Sequence, residues 1–470
     1  MQVCIVDKKD LHERLLRIDP EYYQQIYLEI EQKISKKRLT SLNEVCYITD
    51  GEHGTLKTYK TGYAKYYGAR NVLFGILDET SVEYITKEDH QRNKRSILHP
   101  SDVLISCVGA NIGSAAYVPE NIGNANIVRN LALLRSKSEK INNEYLLAYF
   151  LSKYGKLSFK RVATGNAQPL VSLDNIYEIN IPILNKKFQN LTRKIIKKSS
   201  ILRSRAEKIY FETELLLLSN IGLDEWIDNY NSIFVKNYSE TIKPERLDAE
   251  YFLPKYDNIV ALIKKYKHGF DFIKNQFKKN KSYFTKNNEK CYNYVEISGI
   301  NVLTGEYQIS KLLGKELPAN AKIKTKINDL IISKVRTYRG AISIIRDSDI
   351  IASNAFTVLQ STGNISPETL FILLRSKPYL TLTLKFNTGT SYPTINDDDI
   401  LNMPIPLIDK KIQNNVTENI KQYYALIEKN KELFMIAKNG VDIAIEKNEK
   451  EAIDWVKDEI KNLGLDIHGI

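Results

Sequence analysis

Thr164-Gly165-Asn166-Ala167-Gln168-Pro169 opens a stretch that runs through Asp174, Ile176 and Ile181-Pro182 to Lys186-Lys187-Phe188-Gln189-Asn190. It returns as Thr388-Gly389-Thr390-Ser391-Tyr392-Pro393, through Asp398, Ile400 and Ile405-Pro406 to Lys410-Lys411-Ile412-Gln413-Asn414. The offset is 224 residues throughout (388 − 164), and 11 of the 27 aligned positions are identical. Upstream the correspondence continues in order. Asp102-Val103-Leu104-Ile105-Ser106 matches Asp329-Leu330-Ile331-Ile332-Ser333, and Arg17-Ile18-Asp19-Pro20 matches Arg246-Leu247-Asp248-Ala249. The period is far longer than the roughly 20–50 residues of solenoids and propellers. The repeating object is therefore a whole domain with a helix attached.

Composition agrees with two such units. At 470 residues, each copy is long enough to bury its own core. Hydrophobic content of 43% with 26% charged residues is that of an ordinary globular chain. No run of 18 apolar residues is present, so no spanning helix is expected. Asp7, Asp10, Glu13, Asp19 and Glu21 make the opening segment too acidic for a secretory or transit leader. Cys4, Cys46, Cys107 and Cys291 have neither disulfide-framework nor zinc spacing, which suggests a reducing, cytoplasmic setting. Lys and Arg outnumber Asp and Glu by 68 to 56, a net charge of +12 that favours a polyanionic partner.

Local patterns place the elements. Asp19 and Pro20 stand where an N-cap and a first helical residue would, ahead of an apolar face at Tyr23, Ile26, Tyr27, Ile30 and Ile34. Tyr256, Ile259, Leu262, Ile263 and Tyr266 repeat that face in the second copy. Val103–Ser106, Leu330–Ser333, Leu131–Leu134 and Ala355–Leu359 read as buried strands. Helices are expected over Asn143–Tyr154 and, capped by Ser366, over Pro367–Leu374. Short helices capped by Ser172 and Asn396 follow, stopped by Pro182, Pro404 and Pro406. A long helix closes each copy. Phe188, Ile195, Leu202, Ile209 and Leu216 recur every seven residues in the first, with Leu191 and Ser199 partly filling the second seam position; Ile412, Val416, Ile420, Tyr423, Ile427, Leu433 and Ile436 form the stripe of the second, to an end at Gly440. Narrow stripes of that length call for a partner helix, and each copy supplies one to the other.

The predicted fold is thus α+β: two tandem homologous domains, each followed by a long helix, the two helices pairing as an antiparallel coiled coil. The expected divisions are a first domain at 1–184, a helix at 185–218, a linker at 219–243, a second domain at 244–408, a second helix at 409–439, and a helical extension at 440–470. One chain carrying two homologous units suits a ligand with two similar features at fixed separation, and split DNA half-sites are the leading example.

The chain resembles the specificity subunits of type I restriction-modification systems along essentially its whole length. The resemblance rests on Thr-Gly-x-x-x-Pro followed by Ile-Pro and a long helix in both copies, and on Asp50-Gly51-Glu52-His53-Gly54-Thr55. Ser106-Cys107-Val108-Gly109-Ala110-Asn111-Ile112-Gly113 adds a glycine-rich turn. The second copy lacks the Asp-Gly-x-His segment and replaces that turn with the basic Val335-Arg336-Thr337-Tyr338-Arg339-Gly340. The resemblance implies that each copy is a target-recognition domain reading one half of a bipartite double-stranded DNA sequence. It implies helices that set the spacing and dock two modification (adenine N6-methyltransferase) subunits, with restriction/translocase subunits as further partners. It implies no chemistry in this chain.

The residues themselves give no reason to expect catalysis. There is no Asn/Asp-Pro-Pro-Tyr/Phe motif, no phosphate-binding loop and no metal spacing among six histidines. No cofactor and no metal are expected. Asp19 with Glu31-Gln32-Lys33 could be drawn as a nuclease-type carboxylate set, but solvated helix charge explains it better. For DNA contact the candidates in the first copy are His53, Lys57, Arg70, Asn71, Asn166 and Gln168. In the second they are Lys334, Arg336, Tyr338, Arg339, Ser391 and Tyr392. Arginine suits guanine edges and phosphates, and Asn or Gln suits adenine, although turn preference alone accounts for Asn166. The alternatives are a specificity module of a methylation-only or other phage-defence complex, and a coiled-coil scaffold that binds protein alone.

Overall fold

A computed structural model describes residues 17, 19–79, 82–165, 169–228, 233–242, 246–389 and 391–465, with the Ala110 side chain outside the description. Two compact units result, and they interleave along the chain. The first is Met1–Arg205 together with Leu426–Ile470; the second is Ala206–Ala425. Each unit therefore holds one half of each long helix.

The first unit is built on a four-stranded antiparallel sheet. Its order is Cys46–Asp50, Leu131–Ser136, Val103–Ser106, Ala115–Tyr117. All four residues of Val103–Ser106 are buried because both faces are covered. Val103 and Ile105 join the cluster that contains Tyr145 and Phe188, while Leu104 joins another with Tyr67 and Ile127. That alternation is the period of two expected of a strand. The second unit repeats the sheet in the same order: Phe277–Lys279, Phe356–Ser361, Leu330–Ser333, Ile342–Ile344. A second sheet contains a parallel pair in each unit, Ala64–Tyr67 with Ala125–Ile127 and Cys291–Val295 with Ile350–Ser353. The second unit adds Ala321–Lys324 to its version.

Several local expectations are corrected. Asp19 makes no cap hydrogen bond, and Pro20–Tyr23 is a 3-10 turn ahead of the helix Gln25–Ile34. Its carboxylate is instead gripped by both Arg17 Nε and Nη2, and Arg17 reaches on to the Ala163 carbonyl at 3.1 Å. Arg246 holds Asp248 in the same way, at 2.7 Å through each nitrogen, and reaches the Asn387 carbonyl at 3.0 Å. The repeated Arg-x-Asp is therefore a clamp between the start of the copy and the segment before Thr-Gly. Glu31 pairs with Arg161 at 2.9 Å, so Asp19 and Glu31 are each bound to an arginine.

The segment expected as one helix to Tyr154 is two, Asn143–Leu151 and Lys153–Arg161. Ser152 caps the second by accepting from Gly155 N–H at 3.1 Å. A Cβ on Gly155 would stand 2.1 Å from the Tyr149 carbonyl oxygen, so the bend needs glycine. Pro182, Pro404 and Pro406 lie in short strands: Asn180–Pro182 pairs with Leu39–Ser41, and Pro404–Pro406 with Phe270–Phe272. These pairs have two strands only, so a missing N–H is tolerated at their open edges. The caps at Ser172, Ser366 and Asn396 are as expected.

The long helices are Lys186–Ile221 and Lys410–Glu446. In the first unit Ser199 meets Asn430 and Phe188 approaches Gly440; in the second Tyr210 meets Tyr423 and Thr213 meets Asn419. Rising numbers on one helix meet falling numbers on the other, so the pairing is antiparallel within each unit. Phe188, Ile195, Leu202, Val416, Ile420, Tyr423, Ile427 and Leu433 are buried as expected. Burial is worth about 1.5–3 kcal/mol for each such large side chain. Ile209 and Ile412 are half-buried, and Leu216 is 42% exposed. Beyond Leu202 the first helix buries Ala206 and Thr213, which continue a seven-residue series of small or polar side chains from Thr192 and Ser199. Leu191 and Ser199 are buried as expected, while a stripe chosen by hydrophobicity misses Thr192, Ala206 and Thr213. Gly440 does not end the second helix: a Cβ there would lie 2.7 Å from Val456 Cγ2 and 3.6 Å from Phe188 Cε2. Glycine at this position lets the closing helix Glu449–Asn462 approach closely.

Candidate nucleic-acid interface

Two turns meet at the same place in each unit. In the first, Val108 bridges Leu170 and Thr164 bridges Leu170; in the second, Val335 bridges Thr394 and Thr388 bridges Thr394. Gly109 N–H donates to the Pro169 carbonyl at 3.1 Å, and Arg336 N–H to the Pro393 carbonyl at 2.8 Å. Gly165 and Gly389 have φ of 87° and 83°, a left-handed turn for which glycine is the natural residue. The residues that flank each motif, Thr164 with Leu170 and Thr388 with Thr394, thus pair with one another beside the end of the central strand. Asn166 and Gln168 fall outside the described residues.

In the second unit this packing gathers residues that are far apart in sequence. Arg336 Nη2 donates to the Ser391 carbonyl at 2.9 Å, and the guanidinium carbon lies 4.9 Å from the centroid of the Tyr392 ring. Tyr392 is 71% exposed, and Ser391 and Arg339 are exposed as well. Ser333 Oγ donates to the Val335 carbonyl at 2.7 Å and Thr337 Oγ1 to the Ser333 carbonyl at 2.6 Å, which fixes the loop from below. Tyr338 does not join this group. It lines a separate groove with Glu214, Arg375, Lys377 and Leu380.

Lys334 also turns elsewhere. Its Nζ lies 3.8 Å from Asp397 Oδ1, which accepts from Thr357 Oγ1 at 2.6 Å, while Lys279 binds the other oxygen. Burial alone would raise the Asp397 pKa. The hydrogen bonds from Lys279 and Thr357, with the Lys334 charge, outweigh it and hold the carboxyl below its usual range. Lys334 is accordingly an internal counter-ion, half-buried, and leaves the exposed candidate set.

In the first unit Asp50, His53, Arg95, Arg129, Asn130 and Asp174 line a cleft beside the turn. Asp50 Oδ2 is 2.7 Å from His53 Nε2, and Asp50 Oδ1 is 3.2 Å from Arg95 Nη2. Arg95 Nη2 also donates to the Gly51 carbonyl at 2.9 Å. A Cβ on Gly51 would stand 1.8 Å from the Ile127 carbonyl oxygen, so only glycine lets Asp50 and His53 sit against that strand. His53 keeps 64% of its side chain exposed. Lys57 is exposed, 5.5 Å from the Tyr59 ring centroid, and Arg70 is exposed and paired with Glu83 at 3.0 Å.

Asn71 is a correction. It is fully buried, its Oδ1 accepting from Gly68 N–H and its Nδ2 donating to the Asp78 carbonyl, both at 2.9 Å. Its amide shapes a turn and has nothing to offer a base. Arg95, Arg129 and Lys279 were not singled out from sequence. Arg95 and Arg129 lack a distinctive motif, and Lys279 becomes visible only through its ion pair with Asp397. In the pairing register Lys279 takes the place of Ile48: Lys279 pairs with Leu359 and Leu359 with Leu330, as Ile48 pairs with Leu134 and Leu134 with Val103.

Among the described residues no group of three or more His, Cys, Asp or Glu side chains could hold a metal ion, and no helix is long and apolar enough to cross a membrane. The two units share one class of architecture, an α+β sheet whose central strand meets a Thr-Gly segment with the same backbone pairing in both. Residues 34–208 match the family model described as type I restriction modification DNA specificity domain. The chain is 25% identical over 407 residues to the type I restriction enzyme MjaVIII specificity subunit of Methanocaldococcus jannaschii, covering 84% of this chain and 86% of that one. The type I restriction-modification S subunit of M. genitalium aligns over 87% of this chain and 95% of its own, at 13% identity and a TM-score of 0.38. The HsdS subunit of Thermoanaerobacter tengcongensis aligns over 87% and 97%, at 14% identity and a TM-score of 0.28. The chain is thus similar to type I restriction-modification specificity subunits over most of its length, and residues 34–208 match their DNA specificity domain.

Proposed function

We propose that each unit reads one half of a bipartite double-stranded DNA target, and that the paired long helices set the gap and dock two adenine N6-methyltransferase subunits. Restriction/translocase subunits are further partners in this reading, the chain itself is non-catalytic, and it works in the cytoplasm. One observation carries the proposal: the two turns meet with the same backbone pairing in both units while the side chains they present differ. A shared frame with divergent side chains is what two readers of unlike half-sites require. The net charge of +12 supports a polyanionic ligand.

The test is to express the chain with its modification subunits and map methylated adenines. A motif of two short specific parts with an unspecific gap is expected. Duplex affinity should fall steeply with salt as phosphates are neutralised. A single continuous motif, or a complex without sequence preference, would overturn the reading.

A further inference from the structure

Arg336 has φ of 49° and ψ of 46°, the left-handed region. Its counterpart in the first unit is Gly109, 227 residues earlier, with φ of 78°. The equivalence is fixed by hydrogen bonding: each donates its N–H to the carbonyl of the proline that ends the Thr-Gly turn. The flanking positions also agree. Ser101 and Asn328 have φ of 69° and 71°, and Gly113 and Gly340 have 79° and 81°. The backbone thus demands a left-handed residue here, and the second unit meets that demand with one of the longest side chains available. A Cβ is disfavoured in this region and glycine is not. Strain of this kind persists where the side chain has a use.

That side chain is preorganised. Its Nη2 is tied to the Ser391 carbonyl, and its guanidinium carbon lies 4.9 Å from the centroid of the Tyr392 ring. The other terminal nitrogen makes no hydrogen bond among the described residues. A fork with one side anchored loses little rotamer freedom on binding. It matches the pair of acceptors on a guanine, O6 and N7.

We propose that Arg336 is the residue by which the second unit reads a guanine in its half-site, held ready by its left-handed backbone and by Tyr392. This rests on the half-site reading above. The first unit has Gly109 at this position, so this particular contact belongs to the half read by the second unit.

The test compares Arg336→Gly and Arg336→Lys with wild type, each assembled with its modification subunits, by thermal melting and by methylation of a randomised target library. Arg336→Gly should melt at or above the wild-type temperature, because glycine suits this φ. The half read by the first unit should persist. One guanine position in the other half should relax, its discrimination falling about tenfold or more. Arg336→Lys keeps the charge without the fork and should relax the same position. If the motif is unchanged in both variants, the inference is wrong. A uniform loss in Arg336→Gly that lysine restores would make Arg336 a phosphate contact and also overturn it, as would lowered melting with loss at every position. A wild-type library lacking any bipartite motif would refute the half-site reading itself, whatever the variants do.

Discussion

Asn430 donates its side-chain amide to Ser199 Oγ at 2.7 Å and to the Ser199 carbonyl at 2.8 Å, and Ser199 Oγ donates back to the Asn430 carbonyl at 3.2 Å. Both residues are buried in the seam of the helix pair. A polar pair in an apolar seam fixes register, because any slip leaves its groups without partners in a dry interface.

Asn430→Ala should therefore cost about 1–3 kcal/mol, since it removes the two hydrogen bonds that the buried amide donates, each worth about 0.5–1.5 kcal/mol, while Ser199 Oγ keeps the backbone carbonyl of residue 430. Urea unfolding of Ser199→Ala, Asn430→Ala and the double variant would measure the coupling. We expect an interaction energy of about 0.5–3 kcal/mol. Strictly additive losses would show that the contact has no energetic weight.

Gly440→Val should destabilise the first unit. The new side chain begins 2.7 Å from Val456 Cγ2, and overpacking of this kind costs about 1–3 kcal/mol. Valine regains little of that through helix propensity, where Gly is only about 0.8–1.0 kcal/mol worse than Ala and Val sits well below Ala. A fall in the melting temperature is the expected result; an unchanged one would mean that Glu449–Asn462 does not pack against the long helix.

The Arg-x-Asp clamps give a pH signature. Hydrogen bonds from Arg17 hold the Asp19 carboxyl below its usual range, against the opposing effect of burial, and Arg246 does the same for Asp248. A lowered folded-state pKa contributes stability that is present above the unfolded value, about 4, and lost as pH falls through the folded value. Asp19→Asn and Asp248→Asn should lower the melting temperature at pH 7, and the gap to wild type should narrow below about pH 4. A gap that stays constant with pH would mean the clamps act through shape and not charge.

If the helix pair spaces the half-sites, lengthening both helices should lengthen the gap. One heptad inserted after Arg205 and another before Leu426 adds about 10.5 Å at 1.5 Å per residue while keeping the seam in phase. At about 3.4 Å per base pair the unspecific gap should grow by roughly three, with both half-sites unchanged. Methylation mapping reads this directly, and an unaltered gap in an assembled complex would remove the spacer role.

Much of this protein is legible in its sequence. The duplication, the buried strands and the caps at Ser172, Ser366 and Asn396 depend on patterns of a few residues, which local geometry converts directly into structure. The two long helices are visible for the same reason, as periodicity. Their full seam is not. Ser199 stands at a seam position of that periodicity, but Thr213 and Asn430 are polar residues that only a facing helix turns into buried partners.

Tertiary structure alone decided which candidate side chains are free. Asn71 and Lys334 read as surface residues, yet one is enclosed by its own turn and the other neutralised by Asp397. Arg336, Ser391 and Tyr392 sit 55 residues apart or more along the chain in two groups, and only packing of one turn on another unites them. The sequence by itself determined that there are two like units and where their rigid elements run, because those follow from short-range spacing. Which polar groups face outward was decided by long-range packing, because a charge is available to a ligand only when no partner in the fold has taken it first.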